Sequence, residues 1–478
     1  MRFPPPIHDR LHWLRAFRDE IRRHQPELRA LASAEVGKTD FEALTADIMP
    51  LLASCSWHLK NARRLLGPRR VRGGGIFGLH LLGLGTHASR HRLPVGRVLI
   101  IATWNYPVQL VGVQLVQAVV AGNEVVVKPS ERAPRTQARL LELAVACAER
   151  IPSMRGAISV REATREAGRR VLADERFDHV VFTGSTAVGR AIAEVCAPRL
   201  IPTTLELSGS DSAIVLADAD AKAAARAVFV GFTTNAGQTC MAPRRALVAR
   251  GALAAFTDEL ARLVAAARRV TLVDAAAAEH ACSAAERAVS AGGRSIAGAL
   301  EPVDGRTMRP IAVLDCPPDT DLFLGRHFGP VLAVHAFDTL DEAMSLHARC
   351  GQYLATSVWT RAPRADLAAR VQACGSSLVH FNAVLVPSAH PAVALSGHGS
   401  SGWGVSRGES GLLALTREVT VTRSGPLAQP PVQEPEARAQ RIFSRILSWP
   451  VRPHEAPATR TNTAAPRAET RERDGIHA

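Results

Sequence analysis

Residues 98–123 carry no charged side chain across 26 consecutive positions. Nothing else in the sequence limits the fold so strongly, because so long an uncharged run must lie in lipid or inside protein. A transmembrane helix needs about 20 apolar residues, so length alone admits a span. The contents of the run argue against one. Trp104-Asn105-Tyr106-Pro107 interrupts it, and it holds Gly112 and three glutamines, Gln109, Gln114 and Gln117. A buried strand, a loop and then a helix accommodate all of these.

The pattern then repeats. The spacing predicts a strand over 95–102, a helix over 108–121, a strand over 124–128 and a helix over 136–150, with further strands at 158–160, 179–182 and 202–207. Short apolar strands alternating with helices imply a doubly wound, mainly parallel α/β sheet. Upstream, apolar residues at helical spacing (Leu11, Leu14, Phe17, Ile21, then Ile48, Leu51 and Leu52) predict helix over 9–65, and Gly73-Gly74-Gly75 follows as a breaker. A second α/β unit is expected to 400, with helices at 252–268 and 364–374 and strands near 329–337. Residues 408–424 read as a strand-like ending.

From 425 to 478, prolines, alternating charges and weak periodicity predict a disordered tail. Within it, residues 437–449 would place Ile442, Phe443, Ile446 and Leu447 on one helix face and Arg438, Arg441 and Arg445 on another. Such a basic amphipathic helix suits peripheral contact with an anionic membrane, or docking on its own protein.

Lys+Arg 58 against Asp+Glu 44 leaves a net charge of +14. Only Lys38, Lys60, Lys128 and Lys222 are lysines, so almost all of the positive charge is Arg. A basic chain invites nucleic acid as a partner. Aromatic residues make up only 5%, and neither zinc-finger spacing nor an RNA-binding sheet signature is present, so no nucleic acid is expected. The 8 cysteines are scattered, with no CxxC pair. That favours a reducing, cytoplasmic setting over a disulfide scaffold. Gly37-Lys38-Thr39 lacks the earlier glycine of a phosphate loop, Ala32 standing there. No GxSxG elbow or HExxH occurs, histidines do not cluster, and no metal site is expected.

Four separated pieces stand in a fixed order: Trp104-Asn105-Tyr106-Pro107, Val127-Lys128-Pro129-Ser130-Glu131, the run from Phe182-Thr183-Gly184-Ser185 to Val188-Gly189-Arg190, and Leu205-Glu206-Leu207-Ser208-Gly209. Asn235-Ala236-Gly237-Gln238-Thr239-Cys240 and Phe328-Gly329-Pro330-Val331 follow. In these pieces the chain resembles the NAD(P)-dependent aldehyde dehydrogenase superfamily over roughly residues 10–424. The resemblance implies a doubly wound Rossmann-like cofactor domain over 1–207, with 81–97 forming part of a β oligomerisation arm. It implies an α/β catalytic domain over 208–400, and over 401–424 a return to the cofactor domain and the arm strand. It also implies a homo-dimer or tetramer acting on a small-molecule aldehyde.

Cys240 lies in a polar, Gly-containing loop, where a lowered pKa would activate a thiolate for attack on a carbonyl. By resemblance it is the nucleophile, Asn105 and the Cys240 backbone N–H stabilise the oxyanion, and Glu206 activates water. Lys128 and Glu131, with Ser130, match the adenosine-ribose contacts. Glu131 would repel a 2′-phosphate, so NAD is expected, with NADP as the alternative. Gly184, Ser185 and Gly189 form a strand-to-helix turn whose N–H groups can hold pyrophosphate. Trp104, Leu207 and Phe328 complete the expected cofactor set.

Three departures stand out. Arg326 occupies the position where the family usually has a Glu that holds the nicotinamide ribose. Ser208 replaces a glycine, and Ala394-Leu395-Ser396-Gly397 replaces Pro-Phe-Gly-Gly. They leave open a catalytically weak or silent scaffold protein as the alternative to an active enzyme. The apolar segments 99–116 and the loop near Leu395 are expected to wall the substrate site. With no evident anchor for a charged group, an apolar or aromatic aldehyde is the expected substrate.

Overall fold

The computed structural model describes residues 4–71 and 87–423, together with 437, 440, 441, 444 and 445. The glycine triplet, residues 81–86 of the expected arm, and nearly all of the 425–478 tail lie outside the described residues. The disorder expected there and the apolar face of 437–449 therefore fall outside them too; Ala437, Gln440, Arg441, Ser444 and Arg445 are helical.

The first helix, Ile7–Val36, buries Leu11, Leu14, Phe17, Ile21 and Leu28 along one stripe. It ends at Gly37, whose φ of 80° is left-handed. Thr39 and Glu42 then form a capping box that restarts the chain as helix. Gly37-Lys38-Thr39 is thus a helix stop followed by a helix start, which interrupts the continuous helix expected over 9–65. Helix resumes through Met49–Leu66.

A six-stranded sheet runs in the order Gly402–Trp403, Thr203–Glu206, His179–Thr183, Arg97–Ile101, Glu124–Lys128, Ile158–Val160. The inner pairings are parallel, and Gly402–Trp403 is antiparallel. Alternate residues feed different cores. Val98, Ile100, Val125 and Val127 pack with the helices Ile7–Val36, Met49–Leu66, Gln109–Ala121 and Pro134–Glu149. Leu99, Val126, Val180 and Phe182 pack with Val171, Leu172 and Ile192 on the opposite side. With both faces covered, successive residues at the strand centres, such as Val98–Ile100 and Val125–Val127, are apolar. Each such side chain contributes about 1.5–3 kcal/mol through burial.

The helix Gln109–Ala121 is buried along its whole length. The uncharged run is therefore a core strand, a loop and a core helix. Among the described residues no helix is long and apolar enough to cross a membrane.

The second sheet has seven strands, in the order Arg294–Ser295, Ile311–Leu314, Val331–Phe337, Pro243–Ala249, Asp211–Val215, Ala355–Trp359, Leu378–Phe381. It is parallel apart from the edge strand Arg294–Ser295. A third, three-stranded sheet joins Arg69–Val71, His87–Pro94 and Thr416–Arg423. The expected ending over 408–424 is a helix, Gly408–Ala414, before that strand. All eight cysteines are free thiols.

Candidate active site

In the six-stranded sheet, strand order reverses between Arg97–Ile101 and His179–Thr183: the chain winds outward to one edge, then returns to build the other. Ligands of such sheets bind beyond the carboxyl ends of the strands at this reversal. A polar cleft of about 430 Å³ opens there. The strand ends supply Thr103, Trp104, Asn105, Thr183 to Thr186 and Glu206 to Gly209. Residues 325–328 close the other side.

Ser185 caps the helix Thr186–Cys196, its Oγ accepting from the Val188 N–H. Gly184 allows close approach to the Phe182 ring, which an added Cβ would meet at 2.4 Å. Gly189 does not line the cleft. It lets the helix pack on Leu207, where a Cβ would come within 2.5 Å of the side chain. Trp104 and Phe328 meet edge to face, with centroids 5.9 Å apart.

Lys128 ends the next strand, Glu124–Lys128, and Ser130 and Glu131 follow it, all three outside the walls of this cleft. Lys128 Nζ donates to Glu131 at 2.9 Å, and so does Arg165 Nε. Burial opposes ionisation of Glu131, but a backbone N–H, Lys128 and Arg165 outweigh it and hold the carboxyl down at about 2. Arg165 was not evident from the motif, because it comes from the start of the helix Arg165–Asp174.

Cys240 stands in a loop shaped by three successive left-handed residues, Asn235, Ala236 and Gly237. Gly237 is needed because a Cβ there would meet the Gly329 backbone at 2.4 Å. The loop is held from several sides. Asn105 Nδ2 donates to the Gln238 carbonyl at 3.0 Å. Asn235 Nδ2 reaches the carbonyls of Asn105 and Gln238. The buried Arg244 donates to the carbonyls of Gly237 and Thr239, and Tyr106 Oη shares a 2.6 Å hydrogen bond with Thr239.

Beneath Tyr106, Lys38 Nζ lies 3.8 Å from the ring centroid and 3.2 Å from Asp47. Asp47 Oδ1 also accepts from the N–H groups of Val108 and Gln109, satisfying the start of the central helix, Gln109–Ala121. The lowered thiol pKa expected from the motif is not what the loop produces. Burial and then the Glu206 carboxylate push Cys240 up to about 11, against the pull of Arg407 and Arg244.

The Glu206 carboxylate accepts from Thr183 Oγ1 at 2.9 Å, from Gln114 Nε2 at 3.2 Å and from Ser406 Oγ. Gln114 and Gln117 are polar positions in an otherwise apolar helix, and that contrast was the available signal for them. Gln117 accepts from the Arg407 N–H. No sequence signal marked Ser406 or Arg407.

A second cavity, of about 740 Å³, reaches Cys240 from another direction. Its walls include Phe41, Pro50, Tyr106, Leu110, Phe229 and Met241. Only part of the expected 99–116 wall contributes. Leu395 lies outside the cavity lining and packs in the small cluster that touches Cys240. Arg407 and Arg268 also line the cavity, so it does contain cationic side chains. Arg326 faces the cleft with its guanidinium tied to Asp321 at 3.2 Å, and its carbonyl is 2.8 Å from His280 Nε2. Ser208 lies in the cleft wall, its carbonyl accepting from Ser401 Oγ.

The sequence profile described as "Aldehyde dehydrogenase family" matches residues 5–421. Among similar proteins, a 4,4'-diapolycopene-4,4'-dial dehydrogenase of Cytobacillus firmus is 28% identical over 419 residues, covering 87% of this chain and 89% of its own. A putative succinate-semialdehyde dehydrogenase [NADP(+)] of Mycolicibacterium smegmatis is 30% identical over 440 residues, covering 88% and 81%. Among solved structures, an NAD-dependent aldehyde dehydrogenase from Sinorhizobium meliloti superposes with a TM-score of 0.80 at 27% identity, covering 89% of this chain and 84% of the other.

Proposed function

The chain belongs to the aldehyde dehydrogenase family, and from that premise we propose that it oxidises a large apolar or aromatic aldehyde to its carboxylate at Cys240. One observation carries this reading: Cys240 stands in the walls of both cavities, the polar cleft and the apolar funnel. A nucleophile at that junction meets an aldehyde from one side and a cofactor from the other.

Cys240 sulfur bonds to the carbonyl carbon, the π pair moves onto oxygen, and the thiol proton leaves to solvent or base. The Asn105 amide has two N–H groups. One is used on Gln238, and the other is free to stabilise the oxyanion together with the Cys240 N–H. The cleft fits a dinucleotide: Ser185 and the start of Thr186–Cys196 suit pyrophosphate, and Trp104, Leu207 and Phe328 suit the nicotinamide end. Lys128, Ser130 and Glu131 suit the adenosine ribose. The bound cofactor would accept hydride from the substrate carbon, leaving a thioester on Cys240. Glu206, oriented by Gln114, Thr183 and Ser406, then takes a proton from water as the water attacks the thioester.

Glu131 favours NAD over NADP, although Arg165 offsets part of its charge. The size and apolar walls of the funnel support a bulky aldehyde. So does the C. firmus relative, whose name specifies a polyene dialdehyde. The exposed strand Thr416–Arg423 supports assembly into a dimer or tetramer through the three-stranded sheet. Residues 437–449 support membrane contact by their composition alone, and vesicle flotation with and without the tail tests it.

The test of the reaction is NADH formation with decanal, benzaldehyde and a short dicarboxylic semialdehyde, in the wild type and in Cys240→Ala. Decanal or benzaldehyde is expected to be the better substrate, with loss of turnover in the variant. Unchanged turnover in Cys240→Ala would overturn the mechanism, and preference for the semialdehyde would overturn the substrate class.

A further inference from the structure

Arg407 lines the funnel with Cys240, is 8% exposed, and has no carboxylate partner among the described residues. Its Nη1 donates to the Ser388 carbonyl at 3.0 Å and its backbone N–H donates to Gln117 at 3.3 Å. Its backbone, at φ 63° and ψ 164°, occupies a region that suits glycine and costs a side-chain-bearing residue about 1–3 kcal/mol. Gln117 braces this turn from both sides, since its Nε2 also reaches the Gly408 carbonyl at 3.4 Å. Strain of this kind persists only where the surroundings fix it, and it gathers at functional sites.

Two neighbours tie Arg407 to the reacting groups. The preceding residue, Ser406, donates to Glu206. Ser406 pairs across a short antiparallel ladder with Leu395, which packs in the cluster that touches Cys240. A guanidinium without a carboxylate partner is thereby held, at a cost in backbone energy, in the wall of the cavity that the nucleophile shares and one residue along the chain from the serine bonded to the base.

We infer that Arg407 is a positioning residue, a fixed positive charge that acts on Cys240 and on the anion formed as its sulfur adds to the aldehyde. This rests on Cys240 being the nucleophile. In a cavity with apolar walls, charge interactions exceed those in water severalfold. The charged and titratable groups around Cys240 are Glu206, Asp211, Tyr106, Arg244 and Arg407. Glu206 and Asp211 oppose a thiolate. Arg244 and Arg407 favour it, and of these Arg407 is the one exposed to the substrate cavity.

The experiment is the rate of Cys240 alkylation by iodoacetamide from about pH 6.5 to about pH 10.5, with the modified cysteine located by peptide mass. Wild type, Arg407→Gln, Arg407→Lys and Ser388→Asp are compared. The thiol midpoint near 11 lies just above this window, so the wild-type rate is expected to climb about tenfold per pH unit throughout it, and a moved midpoint is read as a parallel displacement of that line. Arg407→Gln should raise that midpoint by about one unit, lowering the rate about tenfold at pH 8, while Arg407→Lys stays within about threefold of wild type.

Ser388→Asp keeps the arginine and places a carboxylate beside it, so it should shift the midpoint in the same direction even if Arg407→Gln does not fold. An unmoved midpoint in a folded Arg407→Gln or in Ser388→Asp overturns the inference. So does Arg407→Lys behaving like Arg407→Gln, which would make shape rather than charge the contribution. The premise is scored separately. If wild-type protein alkylated at Cys240 still forms NADH, the nucleophile assignment fails, whatever the midpoints show.

Discussion

The two cavities that meet at Cys240 are built by opposite rules. The polar cleft takes its walls from short contiguous runs, 103–105, 183–186, 206–209 and 325–328, and three of these are the carboxyl ends of strands in one sheet. The apolar funnel takes short pieces scattered widely along the chain, from the N-terminal helices, the start of the helix Gln109–Ala121, the end of Ala221–Thr233, residues 239–241, the 267–270 turn and the 384–389 loop. In the cleft, position is set by sheet register and by polar bonds that tolerate little change. In the funnel, the requirement is volume and apolarity. Reaction chemistry can therefore stay fixed while substrate choice drifts.

Substitutions on the two sides should separate accordingly. At the junction, Cys240→Ala should lower NADH formation on the order of 10⁴-fold or more, with cofactor binding retained by direct titration. One step into the cleft, Asn105→Ala should cost about 10²–10³ in kcat, the range for one oxyanion donor. A loss in KM alone would mean that Asn105 only braces the Gln238 carbonyl.

A different quantity is at stake beneath the loop. Asp47→Ala leaves Lys38 buried without its partner and removes the acceptor from the start of the central helix. Breaking such a pair costs about 3–5 kcal/mol, to be read as a lower midpoint in chemical denaturation. A change below about 1 kcal/mol would show that the pair is not held as described. On the funnel side, Leu110→Trp should lower kcat/KM for decanal about 10–100-fold and leave that for acetaldehyde within about threefold. Equal losses for both aldehydes would mean that the funnel is not the route by which substrate enters.

The same contrast explains what the sequence made legible. Strands such as Arg97–Ile101 and Glu124–Lys128 could be placed because burial on both faces leaves a continuous apolar run at their centres, Val98–Ile100 and Val125–Val127. The cleft could be placed because its residues are neighbours in the chain. The funnel depends on where Phe41, Phe229 and Val386 come together, and no local pattern records that. Arg407 was invisible for the same reason: its meaning lies in having no carboxylate paired with it among the described residues. The glutamines were the intermediate case. Gln114 and Gln117 stood out in an apolar helix, but their partners, Glu206 and the Arg407 N–H, required the fold.

The smallest expected effect lies at Arg326. The resemblance implies that a carboxylate there would grip the nicotinamide ribose, and Arg has no acceptor to offer. The structure places its side chain largely in solvent, paired with Asp321; an exposed ion pair of this kind is worth about 0–1 kcal/mol. Replacing it should therefore disturb little, and Arg326→Glu supplies an acceptor at the rim of the cleft. NAD should then bind a few-fold more tightly by calorimetry, with the denaturation midpoint almost unchanged. The new carboxylate would stand near Asp321, and that repulsion limits the gain. If Arg326→Glu instead weakens NAD binding, the guanidinium itself serves the cofactor, and the rim of the cleft has exchanged one mode of grip for another.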